Sequence, residues 1–246
     1  MSGARAKGPM TTLIRCATVC SLLMSLACSS TPLIEPQGAP ATFAGAGGAA
    51  SGNGASQGGS GGSAPGSTWA AYPAGPYGTV VGATIENLSF LGWHDPVAAG
   101  YDPNAFELLQ LSDFYDPDGA SGVKLLAINV SAVWCAVCRA EYQDFKDNDV
   151  YETYRQKGVQ MLGTLFEDNN YYPARPSDLV LWGSVSSHQV AFPLVLDPSF
   201  KMGAYFTSDA TPLNMLVDTR SMKIVQATMG YSADYWTGVD TLLSKL

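Results

Sequence analysis

Five cysteines occur in the 246-residue chain, and only Cys135 and Cys138 lie beyond residue 28. They form a C-x-x-C pair within Val133-Trp134-Cys135-Ala136-Val137-Cys138-Arg139. Two thiols at that spacing can close as a disulfide and reopen, one attacking a partner's sulfur to form a mixed disulfide and the other releasing it. At the start of a helix, the first thiol meets unpaired backbone N–H groups and a partial positive charge, and both favour the thiolate. In such sites the pKa falls from about 8.5 to roughly 3.5–7.5. Cys135 is therefore the candidate nucleophile, and Cys138, one turn later on the same face, is the candidate resolving thiol.

The flanking sequence supplies the elements that such a site needs. Lys124 to Val130 (KLLAINV) is a mostly apolar run of buried-strand type, and Arg139 to Lys157 is rich in helix formers, so the pair is expected at a strand-to-helix turn. Gly158 to Phe166 is a second buried-strand candidate, ended by Glu167, Asp168, Asn169 and Asn170. Pro176 suits a helix start, with Leu179, Val180, Trp182 and Val185 as candidate buried positions. Phe192 to Leu196 reads as a short strand and Met202 to Phe206 as a brief helix. Leu213 to Val217 and Lys223 to Met229 alternate as a hairpin would, and Ala233 to Lys245 closes the chain as an amphipathic helix. Upstream, Ile85 to Trp93 is a strand or hairpin arm, and Phe106 to Leu111 is a short extended or helical piece. The succession of strand, helix, strand, helix, strand, hairpin and helix describes an α/β layer on a mixed sheet.

With 46% hydrophobic residues, the chain has material for one domain with a proper core, expected over residues 67–246. The first 66 residues read differently. Arg5, Lys7 and Arg15 precede an apolar run from Cys16 to Ala27, which is short for a membrane span and suits a secretory signal peptide over residues 1–27. Residues 28–66, almost entirely Gly, Ala, Ser and Pro after Gln37, read as a disordered tether. A flexible chain of that length has an end-to-end distance of roughly 35 Å. Only Glu35 among the 21 acidic residues precedes residue 67, and the domain that follows carries 20 acidic against 10 basic side chains. A domain so acidic, with no cluster of Lys and Arg, is not expected to bind nucleic acid.

Asp113-Phe114-Tyr115-Asp116-Pro117-Asp118-Gly119 gathers three carboxylates, but it lacks the glutamate that an EF-hand needs at its twelfth position and reads as an acidic turn before the central strand. His94 and His188 are the only histidines, and each reads as an ordinary polar residue. No metal site is expected from two cysteines and two unpatterned histidines, and no organic cofactor is implied.

Trp134-Cys135-x-x-Cys138 at a strand-to-helix turn, with Thr211-Pro212 directly before the strand at Leu213, resembles the thioredoxin fold. The likeness spans about Thr79 to Leu246. It implies a thioredoxin-like mixed sheet flanked by helices, a cis bond before Pro212, and a groove where Thr211 and Pro212 present backbone to substrate beside Trp134. Asn129 six residues before Cys135, the run Cys138-Arg139-x-Glu141, and the long path from Asn169 to Ala191 resemble the TlpA-like, redoxin-type branch. That branch consists of exported, membrane-tethered thiol-disulfide oxidoreductases with an N-terminal extension and an insert between central strands. Gln143 stands where that branch usually has a helix-kinking proline, and Ala136-Val137 is neither Gly-Pro nor Pro-His. Leu23 to Ser30 resembles a bacterial lipobox, with Ser25 departing from the pattern and Cys28 as the acylated residue; Ser29 after it implies the outer membrane.

The resemblance thus implies a lipid-anchored oxidoreductase on the periplasmic side of the envelope, acting on client proteins with thiols or disulfides and served by a thiol-disulfide electron donor or acceptor. Glu141 is its candidate proton relay. A peroxiredoxin-like peroxidase is one alternative, although P-x-x-x-T-x-x-C would require proline and threonine where Ile128 and Ala132 stand. A Cu(I)-binding chaperone with His188 as a ligand is another, although such chaperones carry C-x-x-x-C. A hydrolytic Cys135–His188 pair is disfavoured because Cys138 would capture the nucleophile. A purely structural disulfide is disfavoured because a C-x-x-C loop is a poor staple.

Overall fold

In the computed structural model, residues 71–232 and 234–246 are described. The expected signal peptide, the lipid-attachment candidate Cys28 and the expected tether lie outside the described residues. The strands are β1 (Ser89–Trp93), β2 (Glu107–Gln110), β3 (Leu125–Ser131), β4 (Val159–Leu165), β5 (Leu194–Leu196), β6 (Leu213–Asp218) and β7 (Lys223–Met229). The helices are α1 (Ala136–Asp147), α2 (Val150–Arg155), α3 (Pro176–Ser184) and α4 (Tyr235–Leu243).

All seven strands join one sheet in the order β2-β1-β5-β4-β3-β6-β7. β3, β4 and β5 run parallel, while β6, β7, β1 and β2 each pair antiparallel to their neighbours. Every residue of β3 is buried, which is why that strand reads as a nearly unbroken apolar run and not as an alternation. Because β3, β4 and β5 are parallel, their carboxyl ends lie at one end of the sheet, and Cys135 follows directly from β3 there. β6 runs the opposite way, so its first residues arrive at that same end. The mixed sheet, its helices and the N-terminal β1–β2 hairpin form the thioredoxin-like architecture expected from the resemblance. The path expected as an insert, Asn169 to Ala191, holds α3, and the chain then enters β5, the short strand expected over Phe192 to Leu196, which lies between β4 and β1.

Two local expectations are corrected. The helix expected over Arg139 to Lys157 is broken: α1 already begins at Ala136, and Asp149 takes a left-handed backbone (φ 48°) before α2. Cys138, Glu141, Tyr142 and Phe145 make the buried stripe of α1. An unbroken helix would carry Asn148, Asp149 and Glu152 onto that face; the break at Asn148-Asp149, two weak helix formers tolerant of left-handed backbone, turns Val150 and Tyr154 inward instead. In the second case, Val185 is not buried. The helix ends at Ser184, so Val185 leaves the helical period and is 40% exposed, while Val180 is half-buried; Leu179 and Trp182 are buried as expected.

The lateral fit of the N-terminal hairpin depends on Gly92. A Cβ built there would lie 2.2 Å from the Leu194 carbonyl oxygen and 2.6 Å from Val195 Cα. Backbone cannot yield as a flexible side-chain tip can. Gly92→Ala is therefore expected to destabilise the fold by about 2 kcal/mol, read as a lower urea midpoint; an unchanged midpoint would show that β1 and β5 can separate without penalty.

Candidate active site

Cys135 stands at the N-cap of α1 in an extended conformation (φ −75°, ψ 103°), and its Sγ accepts the backbone N–H of Cys138 at 3.0 Å. Sulfur here occupies the place that a Ser or Asp oxygen takes in an ordinary cap, so negative charge on it is met by a helix-terminal N–H. Cys135 and Cys138 are joined as a disulfide with Cα atoms 5.3 Å apart. Cys138 is wholly buried and Cys135 is 4% exposed. Whatever reaches the pair therefore approaches Cys135 first.

Thr211-Pro212 carries the cis bond that the resemblance implies, and the Thr211 hydroxyl donates to Cys135 Sγ at 3.4 Å. The β3–β6 register, with Val130 opposite Leu213, brings the two loops together. Trp134 is half-buried beside the pair, and its indole N–H donates to Glu167 Oε2 at 2.7 Å. Glu167, expected only as a strand terminator, thus fixes the tryptophan ring. The Arg139 guanidinium folds back to donate to the Val133 carbonyl.

Below the disulfide lies a polar cluster inside the apolar seam between α1 and the sheet. Glu141 is 1% exposed; Asn129 Nδ2 donates to its Oε2 at 2.6 Å and Asn214 Nδ2 to its Oε1 at 2.6 Å. Asn129 also donates to Asn214 Oδ1 at 2.9 Å and accepts from the Ser131 hydroxyl at 2.6 Å. Asn129 and Asn214 are register partners across β3 and β6, which is why both amides reach one carboxyl. Burial pushes the Glu141 carboxyl up to about 7, with nearby Asp144 acting in the same direction and the two amide donors opposing them. Asn214 was not anticipated as part of the cluster. Its signal in the sequence is an isolated amide in the apolar strand Leu213 to Val217, just as Asn129 is in its own strand.

The other sequence candidates fall elsewhere. His188 is buried against Tyr142 and Trp182, with ring centroids 5.6 and 5.0 Å away, and burial pushes its imidazole pKa down. Exposed His94 lies 3.8 Å from Glu107 and 3.9 Å from Asp113. Within the acidic turn, Asp116 accepts both the backbone N–H and the hydroxyl of Ser121, so its carboxylate ties down a loop. Among the described residues no cluster of three or more His, Cys, Asp or Glu is arranged to hold a metal ion. No described helix is long and apolar enough to cross a membrane.

No protein-family model matches the chain. No curated protein matches it either. Several solved structures are similar. One is a Chlorobium tepidum protein assigned as thiol:disulfide interchange protein DsbE, 15% identical over 68% of this chain and 98% of that one, with a TM-score of 0.49. The exposed lipoprotein thioredoxin Etrx1 of Streptococcus pneumoniae is 17% identical over 65% and 100% of the two chains, with a TM-score of 0.46. The reduced 2-Cys peroxiredoxin of Plasmodium vivax is 13% identical over 67% and 82%, with a TM-score of 0.48. The fold assignment rests on the strand order, the C-x-x-C turn and the cis bond before Pro212.

A raised carboxyl pKa means that the folded state holds the Glu141 proton more tightly than the unfolded chain does. Its contribution to stability is fully present below the unfolded value near 4.5 and is lost as pH rises through about 7. Between pH 5 and pH 8 the oxidised protein is expected to lose roughly 2–3 kcal/mol relative to Glu141→Gln, measured by urea unfolding of both at each pH. Parallel pH curves would assign the titration to another group.

Proposed function

We propose that the chain is an exported, membrane-tethered thiol-disulfide oxidoreductase that exchanges disulfides with client proteins through Cys135 and Cys138. The observation that carries this reading is the Cys135–Cys138 disulfide at the start of α1, with Cys135 Sγ taking the Cys138 N–H and the Thr211 hydroxyl. A structural staple needs neither a helix-terminal N–H nor a hydroxyl directed at one sulfur. Both stabilise negative charge on Cys135 when the pair is reduced.

In the oxidised state, a client thiolate attacks Cys135 Sγ, the Cys135–Cys138 bond breaks, and Cys138 leaves as a thiolate that takes up a proton. A second client thiolate then attacks the client sulfur of the mixed disulfide and releases Cys135. The client loses two electrons and the protein gains them. Run in reverse from the Cys135 thiolate, the same steps reduce a client disulfide. Thr211 and Pro212 lie where an extended client backbone would pass, and Trp134 offers it an apolar contact. Glu141 lies one helical turn past Cys138, and its carboxyl, pushed up to about 7, can both give and take a proton near neutrality.

The finer features of this reading come from the sequence. The basic and apolar N-terminus supports export; Cys28 within a lipobox-like run, followed by a long Gly/Ser/Pro stretch, supports a lipid anchor on the periplasmic side, and Ser29 supports the outer membrane. The peroxidase alternative has no support in the residues before Cys135, where Ala132 and Ile128 take the threonine and proline positions.

Cys138→Ser is expected to accumulate mixed disulfides between Cys135 and clients, and Cys135→Ser to accumulate none, as read by non-reducing electrophoresis after acid trapping. Equilibration of the full chain against glutathione buffers gives the direction: a potential near about −270 mV marks a reductant, and one near about −120 mV marks a disulfide donor. A pair that fails to cycle in any buffer would overturn the reading. Glu141→Gln is expected to slow release from the mixed disulfide about tenfold near neutral pH, followed by stopped-flow thiol trapping; unchanged kinetics would remove Glu141 from the proton path.

A further inference from the structure

Two exposed aromatic residues, one on Trp134 and one on Phe166, stand on backbone that ordinary side chains avoid. Tyr171 has φ 63° and is 68% exposed; Phe200 has φ 48° and is 41% exposed. Left-handed backbone is unfavourable for bulky residues and is cheapest for Gly or Asn. Burial of these rings is too incomplete to explain the choice. Each is held by a similar device. After β4, buried Asp168 accepts the N–H groups of Asn170 and Tyr172 at 2.7 and 3.0 Å, closing the turn that raises Tyr171. After β5, buried Asp197 accepts those of Lys201 and Met202 at 2.8 and 2.9 Å, closing the turn that raises Phe200.

Both turns leave the carboxyl ends of parallel strands, at the end of the sheet where β3 delivers Cys135. The rings join there. Tyr171 lies on Trp134 at 5.2 Å and Trp134 meets Phe166 edge-on at 6.5 Å. Phe166 stacks on Phe200 at 4.2 Å, and Phe200 contacts Phe206 at 5.4 Å. Gly203 makes room for this, because a Cβ there would come within 2.6 Å of the Phe200 ring. Trp134, Phe166, Phe200 and Phe206 line a groove of about 490 Å³ that reaches Thr211, the residue touching Cys135 Sγ. The one charged residue lining it is Asp209, and Glu167 stands behind Trp134.

Resting on the oxidoreductase reading above, we propose that this five-ring shelf is the client subsite, that it takes an extended cysteine-bearing segment with an aromatic or large aliphatic residue beside the cysteine and a basic residue near Asp209, and that Tyr171 and Phe200 determine this specificity. An apolar side chain on the shelf sets the client sulfur over Cys135, while Asp209 attracts the basic one. This accounts for exposed rings on costly backbone: the turns present surface to a partner and contribute little to the core.

The test uses the full chain in its oxidised form and three single-cysteine peptides that differ only beside the cysteine: Ala alone, Phe alone, and Phe with Lys. Each peptide thiolate opens the Cys135–Cys138 bond to give a mixed disulfide and a Cys138 thiol, quantified by acid quench and alkylation. Dithiothreitol serves as the reductant that needs no subsite. Native protein is expected to react about tenfold faster with the Phe peptide than with the Ala peptide, and faster again with Phe and Lys. Tyr171→Asn, which suits left-handed backbone, should bring the Phe preference within about twofold while Tm stays level or rises and the dithiothreitol rate is unchanged. Phe200→Leu should reduce the same preference, and Asp209→Asn should remove only the Lys effect. Equal rates for all three peptides with native protein, or a preference untouched by Tyr171→Asn, would overturn the proposal while leaving the oxidoreductase reading intact. A disulfide inert to dithiothreitol and peptides alike would overturn the oxidoreductase reading first.

Discussion

The site depends on the antiparallel pairing of β3 with β6. The C-x-x-C turn leaves one end of β3, and the cis-proline loop enters β6 at the same end, so the register of this single ladder decides whether Thr211 reaches Cys135. The same register sets Asn129 opposite Asn214 one rung in from the Val130–Leu213 pair, where both amides close on Glu141. A slip of β6 by one residue would turn Asn214 to the other face, away from Glu141, and move the proline away from the disulfide. Burial of every β3 residue and of Leu213 to Val217 makes such a slip expensive, so the apolar core enforces the geometry of the polar site.

Beneath the disulfide, the protein accepts a carboxyl in surroundings otherwise suited to Cys, Tyr and Phe. A buried carboxylate without partners is severely unfavourable. Two amide donors reduce that cost without adding a countercharge, and this is why burial still outweighs them and leaves the proton held up to about pH 7. A lysine or arginine in either amide's place would have kept Glu141 charged. With two asparagines, the group stays poised near neutrality, one turn from Cys138.

Above the disulfide, the logic is inverted. Asp168 and Asp197 are buried acids that serve turns, and the residues those turns raise are aromatic and exposed. The segment holding α3 and β5 thereby does more than lengthen the chain between β4 and β6. β5 widens the sheet by one parallel strand and brings a second turn, with Phe200 on it, to the end where β3 and β4 already point. The Tyr142–Trp182 contact between α1 and α3, 5.1 Å between centroids, ties α3 to the helix that Cys135 caps and that carries Cys138.

Local sequence determined the strand-turn-helix around Cys135 and Cys138, the hairpin at β6 and β7, and the helix start at Pro176, because these follow from apolar periodicity, turn chemistry and spacing along the chain. The resemblance carried by Trp134-Cys135-x-x-Cys138 and Thr211-Pro212 placed the cis bond before β6. Tertiary structure alone decided the break at Asp149, where continuing the helix would have turned polar residues into the core, and the exposure of Val185, where the helix ended one residue early. It also decided that Asn214 joins Asn129 at Glu141 and that Glu167 holds Trp134, since strand register and side-chain approach arise between segments far apart in the chain. Tyr171 and Phe200 read in sequence as two more aromatic residues. Only the backbone conformation of two turns, each fixed by a buried aspartate, sets their rings against Trp134 and Phe166.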